Sequence, residues 1–433
     1  MTAQRSFQGR LRHPPGALRI AVIGTRGLPA TYGGVERHVE EICARLADRG
    51  HDVTVFCRSG YAQPALEFYR GIRLVHLRTV ASKTLEAIAH STYASCRSLR
   101  GDFDVVAYHA VGPGLTAPIP RYLARLPVVQ TIHGLDGDRA KWGRSASAAL
   151  GLGTWMSARV PHQTIVVSGA LEEHYRSRYG RPTWNIPNGV DAVTAPPAGP
   201  VLRRLGLSPR EYALFVGRLV PEKAPDRLVR AFRSAAPKGT KLVMVGGSSF
   251  TDRYVADLHV LAGDDSRIIL PGYVYGADLH ELYAHAGLFV LPSDLEGLPL
   301  TLLEAASFGV PVLASDIAPH VQVLGADGPG RRLVPAGDEA ALAAQLQRLL
   351  DPDQMRTERA GAAGLRSEVL GRYSWDEATL ATEDLYRMVA GLVPHRLPTS
   401  SATTRQAPQV IDLRDDTAPQ AARLPAEVDA VSS

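Results

Sequence analysis

Short continuous apolar runs alternate with helical patterns along most of this chain, and the alternation starts twice. The first series occupies 18–24, 52–56, 72–75, 105–108, 128–132 and 164–167; the second occupies 212–217, 242–245, 268–270, 288–291 and 312–314. Runs without internal polar alternation belong to strands buried on both faces, the condition of a parallel sheet. The stretches between them carry the helical period. After the first run, Val35, Val39, Ile42, Cys43 and Leu46 fall on one face, and Gly50 stops the pattern. Strands and helices in turn predict an α/β protein. Two starts, each a run ending in glycine (Gly24 and Gly217), predict two doubly wound, Rossmann-like domains facing across a cleft. Ligands of such domains meet the carboxyl ends of the strands, so the site is sought in that cleft.

The boundaries follow from composition. A basic, proline-containing segment at 1–17 reads as a flexible N-terminus, 18–190 as the first domain and 191–374 as the second, with a Pro/Ala-rich linker at 195–200. A last helical pattern covers 375–390, and the polar, proline-interrupted 395–433 reads as a disordered tail. No run approaches the roughly 18 apolar residues of a membrane span, and the start lacks the apolar core of a secretory signal. A cytoplasmic location is therefore expected. The three cysteines, Cys43, Cys57 and Cys96, fit no zinc spacing and read as reduced core thiols. Charge is uneven: residues 1–190 hold 24 Lys/Arg against 13 Asp/Glu, and the remainder holds 24 against 30. A basic first domain suits an anionic membrane surface or a phosphorylated substrate. An arginine-rich composition, 43 Arg to 5 Lys, accounts for part of the same bias.

Four segments carry candidate chemistry. The loop 24–38 lacks the G-x-G-x-x-G pattern, and the second run ends in Phe56-Cys57-Arg58 with no acid for a ribose hydroxyl, which disfavours a dinucleotide. Instead, Gly33 and Gly34 stand immediately before a helix, where bare N–H groups at the positive end suit an anion; a simple tight turn needs the same pair. In the second domain, Glu296-Gly297-Leu298-Pro299-Leu300-Thr301 leads to Glu304. Pro299 suits a first helical turn, so the N–H groups near Leu300 and Thr301 face the cleft. Eight helical residues would hold Glu296 and Glu304 about 12 Å apart, too far for a glycosidase pair at about 5 Å. Hydrogen bonding to hydroxyls at the two ends of one ligand fits better. Arg218 and Lys223, in a strand-to-helix loop, are placed to clamp a diphosphate, or else are simply solvated. His133 ends a strand at the cleft edge, and Asp136 and Asp138 form a D-x-D pattern common in loops.

Together, the G-G-V-E-R-H loop, the T-I-H-G strand end, V-S at 167–168, I-P-N-G-V-D at 186–191, the G-R-L-x-x-E-K loop and the E-x7-E segment resemble glycosyltransferase family 4. The resemblance covers about residues 18 to 390, and it implies the GT-B fold and a retaining transferase. R-G-L-P-A-x-Y-G-G and H-G-L-D-x-x-R-A-K-W-G further resemble a bacterial subgroup that includes polysaccharide rhamnosyltransferases. The likeness implies roles residue by residue. Glu304 would take the ribose hydroxyls, Arg218 and Lys223 the diphosphate, and Glu296 with the Gly297 backbone the sugar. Gly34 would approach the phosphate from the other domain, His133, catalytic with Glu296, would sit by the transferred sugar and orient it or assist at the reacting centre, and the base would lie against Tyr273 and Val274. The 375–390 helix would cross back to the first domain. No cofactor and no metal are implied; the partners implied are a nucleotide-sugar donor and a glycan or lipid-linked acceptor, with no nucleic acid. One departure is Ala224, where the family often has glycine. The expected function is sugar transfer in cell-surface polysaccharide or glycoconjugate synthesis. The alternatives are a sugar-nucleotide epimerase of the same fold and a non-catalytic nucleotide-sugar-binding protein. A pyridoxal-dependent phosphorylase is a poor fit, because Lys223 stands in a charged loop.

Overall fold

The computed structural model describes residues 16–31, 33–61, 66–78, 86–135, 144–247 and 252–394. Asp136, Asp138, the tail 395–433 and most of 1–17 lie outside the described residues.

The first sheet is built from β1 (Arg19–Ile23), β2 (Asp52–Arg58), β3 (Phe68–Tyr69), β4 (Ile72–Leu77), β5 (Val105–His109), β6 (Val128–Ile132), β7 (Gln163–Val166) and β8 (Trp184–Asn185). Their order is β3-β4-β2-β1-β5-β6-β7-β8. All neighbours run parallel except β3 with β4. The second sheet, wholly parallel, takes β9 (Tyr212–Val216), β10 (Lys241–Val245), β11 (Ile268–Gly272), β12 (Leu288–Leu291), β13 (Val312–Ser315) and β14 (Arg331–Val334) in the order β11-β10-β9-β12-β13-β14. The central strands are buried along their whole length, as the unbroken apolar runs require.

The helix Gly34–Asp48 buries Val39, Ile42, Cys43 and Leu46 against β1 and β2. The closing helix, Trp375–Val389, adds Trp375, Ala378, Leu385 and Tyr386 to this same cluster, so it packs on the first sheet although it follows the second. Ser374 caps it by accepting from Asp376 and Glu377 N–H. Arg45 donates to Asp376 (2.9 Å) and Asp191 (2.7 Å), and Arg49 and His51 both meet Glu383. Val190 N–H donates to Tyr373 C=O at 2.9 Å, so the two crossings between the sheets run side by side.

One reading of the cysteines is corrected. Cys43 and Cys57 are buried, but Cys96 is exposed. The helix Glu86–Ser98 buries His90, Ser91, Ala94, Ser95 and Ser98, and position 96 points away from that face.

Candidate active site

In each sheet the chain leaves a central strand in both directions. β1 lies between β2 and β5, and β9 lies between β10 and β12. At such a switch point the loops diverge and leave a crevice at the carboxyl ends. The loops after β1, β5 and β6 therefore share one crevice, and those after β9 and β12 another. The first is tight: a Cβ on Gly24 would lie 2.2 Å from the His109 carbonyl oxygen. Glu36 and Glu40, on the helix Gly34–Asp48, accept from the Arg26 and Ala30 N–H groups and pin the loop after β1 to that helix.

On the second side, Lys223 ends a short 3-10 turn, Pro221–Lys223, and its Nζ donates to Glu296 Oε1 at 2.5 Å. Asp294 N–H donates to Glu222 C=O, which locks the loop after β12 onto that turn. Ser293 Oγ donates to the same Glu296 oxygen at 2.8 Å. Burial alone would raise the Glu296 pKa; Lys223, nearby His320 and the two hydrogen bonds outweigh it and hold the carboxyl below its ordinary value. Glu296 is thus ionised at neutral pH. Arg218 lies 3.5 Å from Glu222. Tyr273 stands against Gly247, whose carbonyl accepts from Leu219 N–H, so the Tyr273 turn and the Arg218 loop are neighbours. Val274 packs at the edge of the second core.

The helix after this loop spans Leu300–Ser307, with Pro299 as its N-cap in an extended conformation. Glu296 therefore precedes the helix, and its separation from Glu304 is not set by helical rise, as the sequence reading assumed. Pro299 is likewise outside the first turn. Glu304 lies within the helix and accepts from Tyr283 Oη at 3.0 Å; burial raises its pKa, against the pull of Arg37 and Tyr283. Thr301 Oγ1 is buried with no partner among the described residues.

Ala224 is in the left-handed region (φ 49°, ψ 43°) at the start of the helix Pro225–Ala235. A Cβ costs about 1–2 kcal/mol there, and glycine gives back about 0.4–1 kcal/mol through the freer unfolded chain. Ala224→Gly is expected to stabilise the second lobe by roughly 0.5–1 kcal/mol. The check is a higher urea midpoint at unchanged slope.

On the first side, His133 follows β6 and its Nε2 lies 3.1 Å from His109 Nδ1, at the end of the adjacent β5. The His38 ring, from the helix Gly34–Asp48, meets His133 edge-on with centroids 4.6 Å apart. Burial lowers all three pKa values, His38 to about 4 and the other two well below the imidazole range, and the rings also disfavour charge on one another. Asn188 donates from Nδ2 to Leu298 C=O (3.0 Å) while its Oδ1 contacts His38 Nδ1 (2.9 Å).

The two sides meet. A Cβ on Gly297 would lie 1.8 Å from the His133 carbonyl oxygen, and one on Gly34 would lie 3.7 Å from Leu300 Cδ1. The structure thus brings together Gly34, His133, Lys223, Glu296, Gly297 and Leu300, with Gly33 (φ 109°) capping the helix that Gly34 starts. His38, His109, Asn188 and Tyr283 were not singled out from sequence. His109 carries the signal that found His133, a histidine at the end of an apolar run, while His38 and Asn188 stand within quoted motifs.

Residues 32–193 match the family model described as Glycosyltransferase Family 4, and residues 210–352 match that described as Glycosyl transferases group 1. The chain is 30% identical over 400 residues to alpha-maltose-1-phosphate synthase of Mycobacterium tuberculosis, covering 86% of this chain and 100% of that protein. It is 29% identical over 404 residues to D-inositol 3-phosphate glycosyltransferase of Xylanimonas cellulosilytica, covering 84% and 94%. Among solved structures it resembles sucrose-phosphate synthase from Thermosynechococcus elongatus (TM-score 0.72, 24% identity, 86% of this chain and 99% of that one). It also resembles Anabaena HepE in complex with UDP and glucose (TM-score 0.70, 20% identity, 87% and 100%). These last two likenesses establish the two-sheet GT-B fold.

Proposed function

Because the chain belongs to glycosyltransferase family 4, and is a transferase with the GT-B fold, we propose that it moves a hexosyl or deoxyhexosyl group from a nucleotide-sugar donor to an acceptor hydroxyl with retained configuration. The observation that carries this reading is the Lys223–Glu296 pair at the switch point of the second sheet, opposite His133. Lys223 and Arg218 take the diphosphate, Thr301 Oγ1 and the N–H groups of the Leu300 turn complete its oxygen contacts, and Glu304 accepts from the ribose hydroxyls. Glu296 and the Gly297 backbone hold the sugar, and His133 orients it. The glycosyl–phosphate bond breaks toward an oxocarbenium-like state while the cations stabilise the leaving charge. The acceptor hydroxyl attacks on the side the phosphate leaves and passes its proton to that phosphate. HepE, solved with UDP and glucose, supports a nucleotide-sugar donor.

A thermal-shift panel of UDP-, GDP-, ADP- and dTDP-sugars tests the reading. At a hundredfold excess over Kd, the bound donor adds about 2.7 kcal/mol to stability. If no member of the panel raises the melting temperature, the donor assignment fails; an inverted anomer in the product, read by NMR, overturns retention.

Glu304 gives the donor site a pH dependence of known sign. Its raised pKa means that it takes up a proton at a pH above the ordinary glutamate range, while Glu296 stays ionised. A protonated Glu304 accepts poorly from a diol, so donor Kd is expected to rise on mild acidification. In Glu304→Gln the affinity is weaker and this pH dependence is lost; an equal pH dependence in both proteins would exclude Glu304.

Exposed apolar and basic side chains of the first lobe support an acceptor held at an anionic membrane, in cell-surface glycan synthesis. Tyr93, Tyr122, Leu123, Leu152 and Trp155 are exposed on this lobe, the first three on stretches that also carry the exposed Arg97, Arg100 and Arg125. No described helix is long and apolar enough to cross a membrane, so contact would be peripheral, through aromatic side chains and arginines. Co-sedimentation with vesicles is expected to increase with anionic lipid, and equal binding to neutral vesicles counts against it.

A further inference from the structure

We propose that His38, His109 and His133 form a binding site for one divalent transition-metal ion, Zn²⁺ foremost. One ring nitrogen from each lies within 4.8 Å of the others. In a tetrahedral site with Zn–N of about 2.0–2.1 Å, ligand nitrogens stand roughly 3.3–3.4 Å apart. His109 Nδ1 and His133 Nε2, at 3.1 Å, are already close to that spacing. The distances to the third ring are within 4.8 Å, so it has at most roughly 1.4 Å to travel to reach the same spacing.

The donor set is selective. Three imidazoles without a carboxylate suit Zn²⁺, Cu²⁺, Ni²⁺ or Co²⁺ and not Mg²⁺ or Ca²⁺. The ring orientation of His38 is also set. Asn188 uses its amide N–H on Leu298 C=O, so Oδ1 is the acceptor toward His38 Nδ1. His38 therefore carries its proton on Nδ1 and its lone pair on Nε2, the outer support that ligating histidines commonly have. His109 and His133 share one proton across their contact; binding moves it to a far ring nitrogen, with no net release.

His38 and His109 are 3% and 2% exposed, while His133 is partly exposed and gives the entry path from the cleft. A three-histidine set leaves the fourth position to water or a ligand. A metal held there also occupies the His133 ring, so it competes with the transferred sugar; this consequence rests on the function proposed above.

The test is titration of the chelator-treated full chain with Co²⁺ alone, read by the intense ligand-field absorption of four-coordinate cobalt and by metal analysis. One bound ion per chain is expected, lost in His38→Gln and His109→Gln, weakened about 10–100-fold in Asn188→Ala, and kept in Glu296→Gln. Absence of cobalt binding, or binding unchanged in His109→Gln, overturns the site. Should a histidine variant not fold, the wild-type cobalt protein still decides, because paramagnetically shifted imidazole N–H signals must report three rings. Zn²⁺ is expected to inhibit transfer, and chelation to restore it. Metal bound at the three rings without inhibition would support the site and overturn the placement of His133 beside the sugar.

Discussion

Lys223→Met is expected to lower kcat/KM for the donor by about 10²–10³, the cost of removing one pre-placed charge stabiliser, roughly 2.7–4 kcal/mol. It is also expected to destabilise the protein, because the buried Glu296 carboxyl then loses its ionic partner. Breaking one side of such a pair costs about 3–5 kcal/mol, and the 12% and 9% side-chain exposures of Lys223 and Glu296 put them in that regime. The two losses have different causes, and a double mutant separates them. In Lys223→Met/Glu296→Gln the unpaired carboxyl is gone and stability is expected to return in denaturant unfolding. Activity is expected to stay low, because in the proposed function the diphosphate then lacks its ammonium and the sugar its carboxylate. Recovery of kcat/KM together with stability would mean that Lys223 serves only Glu296.

Much of the fold is legible in the sequence, and the strands missed share a property. β3, β8 and β14 are edges of their sheets. An edge strand is covered by a neighbour on one side only and need not be an apolar run. Phe68-Tyr69 and Trp184-Asn185 are two residues each, and Arg331-Arg332-Leu333-Val334 is half charged. Central strands such as β9 and β12 must be apolar throughout, and they are. The same contrast holds at the site. Residues that act through the backbone or as one local motif, such as Gly33-Gly34 and Arg218 with Lys223, can be read from a few consecutive letters. The histidine cluster cannot, since His38, His109 and His133 come from three elements and meet only because β5 and β6 are adjacent and the helix Gly34–Asp48 begins over them. Helical rise failed for Glu296 and Glu304 for a related reason: a regular period was applied across a helix start.

Gly297→Ala is expected to reduce kcat/KM by about 100-fold or more. Its Cβ would lie 1.8 Å from the His133 carbonyl oxygen and 2.7 Å from the carbonyl carbon, both backbone atoms that cannot rotate aside. The loop carrying Glu296 must retreat from His133 by about an ångström, and a misplacement of that size costs about 10²-fold in a reaction that depends on positioning. Nucleotide binding, placed by the proposed function on Lys223 and Glu304 of the second side, is expected to survive, so a thermal shift with free nucleotide should persist while transfer is lost. Full activity would mean that the two sides do not meet at Gly297 during turnover. Gly34→Ala is the informative contrast. Its Cβ would meet only Leu300 Cδ1 at 3.7 Å, an ordinary contact, and alanine is the better helix former. The folded protein therefore has room for this methyl, and melting should be unchanged or slightly raised. A fall in kcat/KM at unchanged stability is expected if, as in the proposed function, the N–H groups of the helix start approach the donor phosphate, because the methyl would take that space. Unchanged turnover would leave Gly33 and Gly34 with the turn into the helix as their whole purpose, and would confine the donor to the second sheet.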